Sequence, residues 1–215
     1  MNYPLYFSIK SVFNYKQSMY NLRTAIQSGQ GAFPDYSALG VFVDNHDNPR
    51  FLSITGSWPL FKSAMTFALF SQGIPIIYYG SEQGFAGGAD PNNRETLWTS
   101  MNTDHEIYKF LTKAVSARKT YKVWNEQYVE RWCDDSFFAF TRGNVLVALT
   151  NNDQGSQKRD ITYHPYSAGQ KLCNVMYDGD CITVSSDKKV SVTLNNGEVK
   201  IFVPSTSSES EVFLQ

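Results

Sequence analysis

The sequence predicts an α/β chain in which a parallel sheet covered by helices is followed by an antiparallel β-sandwich. Two observations carry the first half. Residues 39–43 and 74–79 are short apolar runs, and the stretches around them carry apolar residues at helical spacing. Helix, strand, helix, strand, helix is the pattern of parallel α/β units, and the right-handed crossover rule sets the two strands side by side. A third observation carries the second half. After Lys122 the texture changes to short alternating runs separated by turn-forming Asn, Asp and Gly.

In chain order, residues 6–15 show helical spacing, and 19–26 continue it behind a cap at Ser18. Gly29, Gly31, Pro34 and Asp35 read as a loop leading into the first strand, 39–43, which is apolar enough to be buried on both faces. Polarity inverts at once after it, through Asp44, Asn45, His46, Asp47, Asn48, Pro49 and Arg50. Residues 58–71 form a strongly apolar helix that Gly73 stops. Residues 74–79, I-P-I-I-Y-Y, are a second buried strand, with Pro75 tolerable near its start. A loop over 80–93 holds Gly84, Gly87, Gly88, Asp90 and Pro91, and a further helix over 105–121 ends in Arg118 and Lys119, cations suited to a helix C-terminus. Two parallel strands alone leave edges and faces uncovered, so this half reads as the end of a larger domain.

The runs 128–132, 136–141, 145–150, 161–163, 172–176, 182–184, 190–194 and 199–203 predict the antiparallel sandwich. The expected organisation is an α/β part over 1–121, the sandwich over 122–204, and a tail over 205–215 that begins S-T-S-S-E-S-E.

Composition excludes some functions. The chain has 215 residues, 42% hydrophobic and 18% charged, with a formal net charge of -1. With no basic block, neither nucleic acid nor an anionic membrane is expected as the main partner. No apolar stretch approaches the ~20 residues of a membrane span. The first ten residues, M-N-Y-P-L-Y-F-S-I-K, lack the basic lead and long apolar core of a secretory signal. Three scattered histidines give no usable metal-ligand spacing. Of three cysteines, Cys173 and Cys181 flank V-M-Y-D-G-D. A tight turn at Asp178-Gly179 would leave them too far apart to bond, whereas a wider loop lets the sulfurs meet. Cys133 reads as a buried thiol.

The chemistry concentrates where the first strand ends. Ligands of parallel sheets sit at the carboxyl ends of strands, so an apolar strand running into His46-Asp47 is a candidate active-site lip. The alternative is an Asx-Pro turn that caps its own backbone. F-V-D-N-H-D-N-P-R at 42–50, G-I-P-I-I-Y-Y-G-S-E-Q at 73–83 and G-G-A-D-P-N-N-R-E at 87–95 resemble the alpha-amylase family, glycoside hydrolase family 13, and its fungal-type members in particular. N-Y-P-L-Y at 2–6 resembles the segment after that family's sixth barrel strand, and the terminal strands resemble its domain C.

The resemblance implies that 1–121 are the C-terminal part of a catalytic (β/α)8 TIM barrel, with its last two strands and helices, and that 122–204 are domain C. It implies endo-hydrolysis of α-1,4-glucosidic bonds in starch or glycogen with retention, by a secreted monomer with a calcium ion whose ligands lie upstream of this chain. It implies for Asp47 the role of transition-state stabiliser, gripping the 2- and 3-hydroxyls of the sugar being cleaved, and for His46 a bond to the same sugar. Asp90 and Arg94 match the pair that holds the neighbouring sugar, although a surface ion pair would read the same way. Glu82 reads as a structural carboxylate behind the loop. Tyr78, Tyr79 and Trp98 read as sugar platforms or as packing residues. The chain departs from the family in one respect: the motifs that carry the nucleophile and the acid/base carboxylate, which a retaining enzyme sets roughly 5 Å apart, are not in it. A fragment inactive alone is therefore expected. An α-glucosidase or glucanotransferase of the same family, or a non-catalytic carbohydrate-binding protein, are the alternatives.

Overall fold

Helix α1 (Tyr3–Ile9) opens the chain, with Pro4 in its first turn and the Asn2 side chain accepting from Leu5 N as its cap. The structure, a computed structural model, describes residues 1–205, so all of the expected tail but Ser205 lies outside the described residues. A π-helical turn, Lys10–Asn14, leads to α2 (Tyr20–Ala32). Ser18 Oγ accepts from Tyr20 N, while Met19 occupies the cap position itself. The helix α2 runs through Gly29 and Gly31, both expected in a loop. A Cβ on Gly29 would lie 2.3 Å from the Tyr36 ring, so this glycine serves close packing on the helix rather than a break in it.

Strand β1 (Gly40–Phe42), the short helix α3 (Phe51–Thr55), helix α4 (Trp58–Phe70) and strand β2 (Ile74–Ile76) follow. The two strands pair in parallel, Gly40 opposite Ile74 and Phe42 opposite Ile76. β1 is buried throughout. β2 is not, contrary to the expected buried strand: Ile74 and Ile76 are 56% and 37% exposed. Among the described residues β2 pairs only with β1, so an apolar sequence faces solvent. Helix α5 (Glu106–Thr120) packs on α4, and its cap is the imidazole of His105, whose Nδ1 accepts from Ile107 N.

Strands β3 (Tyr128–Cys133), β4 (Phe137–Arg142), β5 (Val145–Thr150), β6 (Ser156–Ile161), β7 (Lys171–Asn174), β8 (Cys181–Thr183), β9 (Val190–Asn195) and β10 (Lys200–Pro204) complete the chain. They form a six-stranded antiparallel sheet, ordered β3-β4-β5-β10-β7-β8, and a β6-β9 pair. Alternation divides β4, β5 and β10 between two cores. Phe137, Ala139, Leu146, Ala148 and Phe202 pack with Ile161, Val190, Val192 and Leu194 inside the sandwich. Phe138, Phe140, Val147, Leu149 and Ile201 share the other core with Phe61, Phe67 and Phe70 of α4. β6, S-Q-K-R-D-I, lies ahead of the run expected at 161–163. Its outward positions are polar, so hydropathy marks only Ile161.

The sheet and helices are also joined by charge. Arg142 is buried and donates from Nη1 to Ser71 O (2.6 Å) and Phe70 O (3.2 Å), and Arg118 donates to Leu69 O. Two arginines thus satisfy the open carbonyls at the C-terminus of α4. Burial and the neighbouring Arg118 pull Arg142 down to about 10, which leaves it charged at neutral pH.

Cys173 faces Cys181 across the β7-β8 pair and the two are disulfide-bonded, so the chain between them makes the wider loop. Cys133 is half-buried rather than buried, and burial still pushes its thiol up to about 12. Ser205 N donates to Lys171 O (2.9 Å) and so extends the β10–β7 pairing rather than beginning a frayed tail.

Asp134 supplies a pH prediction. Burial alone would raise its carboxyl, but hydrogen bonds from Arg159 (2.5 Å), Trp132 Nε1 (2.6 Å) and Ser136 N outweigh this and hold it at about 2. A carboxylate depressed in the folded state contributes stability above its unfolded value of about 4 and loses it as pH falls through the folded one. Urea midpoints of Asp134→Asn should match those of the wild type more closely at pH 2 than at pH 7. An equal gap at both pH values contradicts this.

Candidate active site

Asp44, just past β1, is buried and anchors the site. Its Oδ1 accepts from Phe51 N and its Oδ2 from Ser81 Oγ, both at 2.8 Å, tying the end of β1 to the start of α3 and to the turn after β2. Burial raises its pKa, against the opposing pull of those donors and of Arg50, whose Nη1 lies 4.0 Å away.

The next residue builds a turn. Asn45 Oδ1 accepts from Asp47 N (2.9 Å), Asn48 N (2.9 Å) and Asn48 Nδ2 (3.1 Å), an Asx-turn. The turn alternative is therefore present, and it lifts the next side chains into the open. His46 and Asp47 are exposed, with His46 Nε2 3.2 Å from Asp47 Oδ1. Tyr3, at the start of α1, donates its hydroxyl to Asp47 Oδ2 (3.0 Å), a bond that raises the phenol's pKa. From the loop after β2, Arg94 Nε reaches Asp90 Oδ1 (3.1 Å) and His46 O (3.4 Å). His46, Asp47, Asp90 and Arg94 thus meet on one rim, at the carboxyl ends of β1 and β2.

Behind the rim lies a layer that the sequence did not single out. Arg50 has no solvent exposure. Its Nε donates to Glu95 Oε2 (2.6 Å), and its guanidinium lies over the rings of Tyr78 (4.6 Å), Phe85 (5.3 Å) and Tyr79 (5.4 Å). Asn93, also fully buried, donates from Nδ2 to His46 O and Asn48 O, each at 2.9 Å. Glu82 is half-buried in a turn, Ser81–Gln83, and the carboxylates that hold the loop from behind are Asp44 and Glu95 instead. Tyr78 and Tyr79 pack on Arg50, whereas Trp98 is 79% exposed and packs on little. The missed residues lie inside the quoted motifs, but nothing in one sequence pairs Arg50 with a residue 45 positions away.

Chemically, the rim offers an exposed carboxylate, an imidazole and a guanidinium–carboxylate pair, a set that bonds vicinal hydroxyls and stabilises positive charge. Among the described residues no group of three or more His, Cys, Asp or Glu could hold a metal ion, and no helix is long and apolar enough to cross a membrane.

A glycosidase class fits this rim, and comparison with known proteins supplies the family. The catalytic-domain model of the alpha-amylase family matches residues 1–158, and the chain belongs to that family. It is 37% identical over 211 residues to an alpha-amylase of Saccharomycopsis fibuligera, covering 94% of this chain and 42% of that one. It is 36% identical over 215 residues to a beta/alpha-amylase of Paenibacillus polymyxa, covering 94% of this chain and 18% of that one. The structure of an alpha-amylase from Malbranchea cinnamomea superposes with a TM-score of 0.90 at 31% identity, covering 95% of this chain and 45% of that one. The chain thus spans less than half the length of each.

The anchor has a measurable weight. Asp44→Ala leaves Phe51 N, Ser81 and Arg50 short of a buried partner and should cost about 3 kcal/mol or more in denaturant unfolding. A loss below about 1 kcal/mol, the net worth of one ordinary hydrogen bond, contradicts the anchor role.

Proposed function

We propose that this chain is the C-terminal part of an alpha-amylase-type glycoside hydrolase that cleaves α-1,4-glucosidic bonds of starch or glycogen internally and with retention. The observation that carries this reading is the meeting of His46, Asp47, Asp90 and Arg94 on one rim at the carboxyl ends of two parallel strands. Residues 1–121 are assigned to the (β/α)8 barrel and 122–204 to domain C.

In this reading Asp47 accepts hydrogen bonds from the 2- and 3-hydroxyls of the sugar at the cleavage point. As that ring flattens toward an oxocarbenium ion, positive charge develops beside the carboxylate and the contact strengthens, which lowers the barrier and not merely the ground state. The Tyr3 hydroxyl fixes Asp47 Oδ2 and leaves Oδ1 beside His46, which bonds the same sugar. Asp90 and Arg94 hold the next sugar, their mutual ion pair supplying both an acceptor and a fork of donors. The nucleophile and the acid/base carboxylate belong to the part of the enzyme that precedes these residues, as do the ligands of a calcium ion. The whole enzyme is assigned as a secreted monomer.

The test is an assay of reducing-sugar release from soluble starch. The 215-residue chain alone should give no turnover. Joined to the preceding part of the enzyme it should hydrolyse starch, and Asp47→Asn should then cut kcat about a hundredfold or more, the effect of losing ~3 kcal/mol of electrostatic stabilisation. Turnover by the short chain, or an undiminished rate in Asp47→Asn, overturns the reading.

A further inference from the structure

We propose that Asn93 is a positioning residue that sets Asp47 against Asp90 and Arg94, with the Arg50–Glu95 pair latching the same loop at its other side. The inference rests on the role assigned above to Asp47, and it concerns residues that never touch the sugar.

The two bonds from Asn93 Nδ2 end on the carbonyls of His46 and Asn48, the residues on either side of Asp47. An amide NH2 carries two hydrogens in one plane, so gripping both carbonyls fixes the orientation of the residue between them. From the other side, Asn45 Oδ1 takes the Asp47 N–H. The backbone of Asp47 is thus clamped from two directions. Its side chain is held separately, by the Tyr3 hydroxyl on Oδ2.

Asn93 lies on the segment that presents Asp90 and Arg94, so the clamp fixes the distance between the two halves of the rim. That segment is closed by a second set of bonds. Glu95 Oε1 accepts from Gly87 N (2.6 Å), Glu95 Oε2 accepts from Arg50 Nε (2.6 Å), and Arg50 N donates to Gly87 O (3.0 Å). A Cβ on Gly87 would lie 1.8 Å from Asn92 O, so the loop is drawn tight against itself. Residues 87–95 are therefore fastened to residues 46–50 through Gly87, Asn93, Arg94 and Glu95.

The arrangement leaves one polar atom of the amide unpaired. Asn93 Oδ1 is buried and has no hydrogen-bond partner. A buried acceptor left unpaired is unfavourable, and an amide is retained there for its two donors. Those donors go to the segment that carries Asp47, not to the loop's own backbone.

The test uses the labelled 215-residue chain in solution, with Asn93→Asp, which keeps the shape but loses the donors, and Asn93→Leu. Without ligand, amide exchange at Asp47 and Asn48 should rise about tenfold or more while β4 and β5 amides keep their wild-type rates, and the His46 imidazole resonance should move. Exchange that rises uniformly across β4 and β5, or stays unchanged at Asp47 with the chain folded, overturns the proposal. If both Asn93 variants fail to fold, Glu95→Gln loosens the same loop from its other side. A local rise at Asp47 in that variant supports the proposal and none overturns it. Maltoheptaose added to the wild type addresses the sugar role separately. An unmoved His46 resonance there counts against that role, while positioning is still decided by the ligand-free exchange rates.

Discussion

A guanidinium with no access to water holds this site together. Arg50 is a permanent charge, and a charge in the interior is tolerated only where partners replace its hydration. Here Glu95 supplies the ion pair, Asp44 a second carboxylate 4.0 Å off, and Tyr78, Tyr79 and Phe85 the electron-rich faces. These partners come from the end of β1, the end of β2 and the loop beyond it, so one buried side chain makes three segments interdependent. Such a pair is poor evidence for net stability, because desolvation offsets much of the attraction. Its effect is on geometry: any displacement of the loop strips a partner from a charge that cannot reach solvent.

The same logic recurs at the seam between helices and sheet. Arg142 of β4 and Arg118 of α5 both end on carbonyls at the C-terminus of α4, where the helix dipole is negative and four backbone acceptors lack intrahelical donors. Apolar packing supplies the area, with Phe67 edge-on to Phe140 at 6.1 Å. The arginines supply direction, since they meet particular carbonyls. A sheet that slid by one residue along α4 would bury those charges against nothing.

What was legible in the sequence follows from which interactions are local. The alternation of helices and strands through residue 121, the polarity switch at Asp44 and the turn residues after it depend on neighbours in the chain, and each could be read from them. The extent of α2 could not, because Gly29 answers to a ring seven residues on that packs against its backbone. β6 escaped because an edge strand needs only one apolar residue on its covered face. Glu82 reads as the structural carboxylate, and the part played by Glu95 is hidden for a similar reason. Both are loop carboxylates, and only the fold shows which of them Arg50 reaches. The buried assignment of β2 was correct about composition and wrong about exposure, since an apolar run reports what a strand is suited to, not what covers it.

Exposure also decides the chemistry of the rim. Asp47 is 53% exposed, and a carboxylate in water at 4 Å from a unit charge contributes only about 1 kcal/mol, against about 4 kcal/mol near a protein surface of lower effective dielectric. The rim residues are already in register, held by Asn45, Asn93 and Arg50, so placing them costs nothing further when a ligand arrives. Their strength is a different matter. It depends on excluding water from the space above Asp47. Register is therefore set by hydrogen bonds within residues 44–95, while the strength of each contact is set by how much water reaches it.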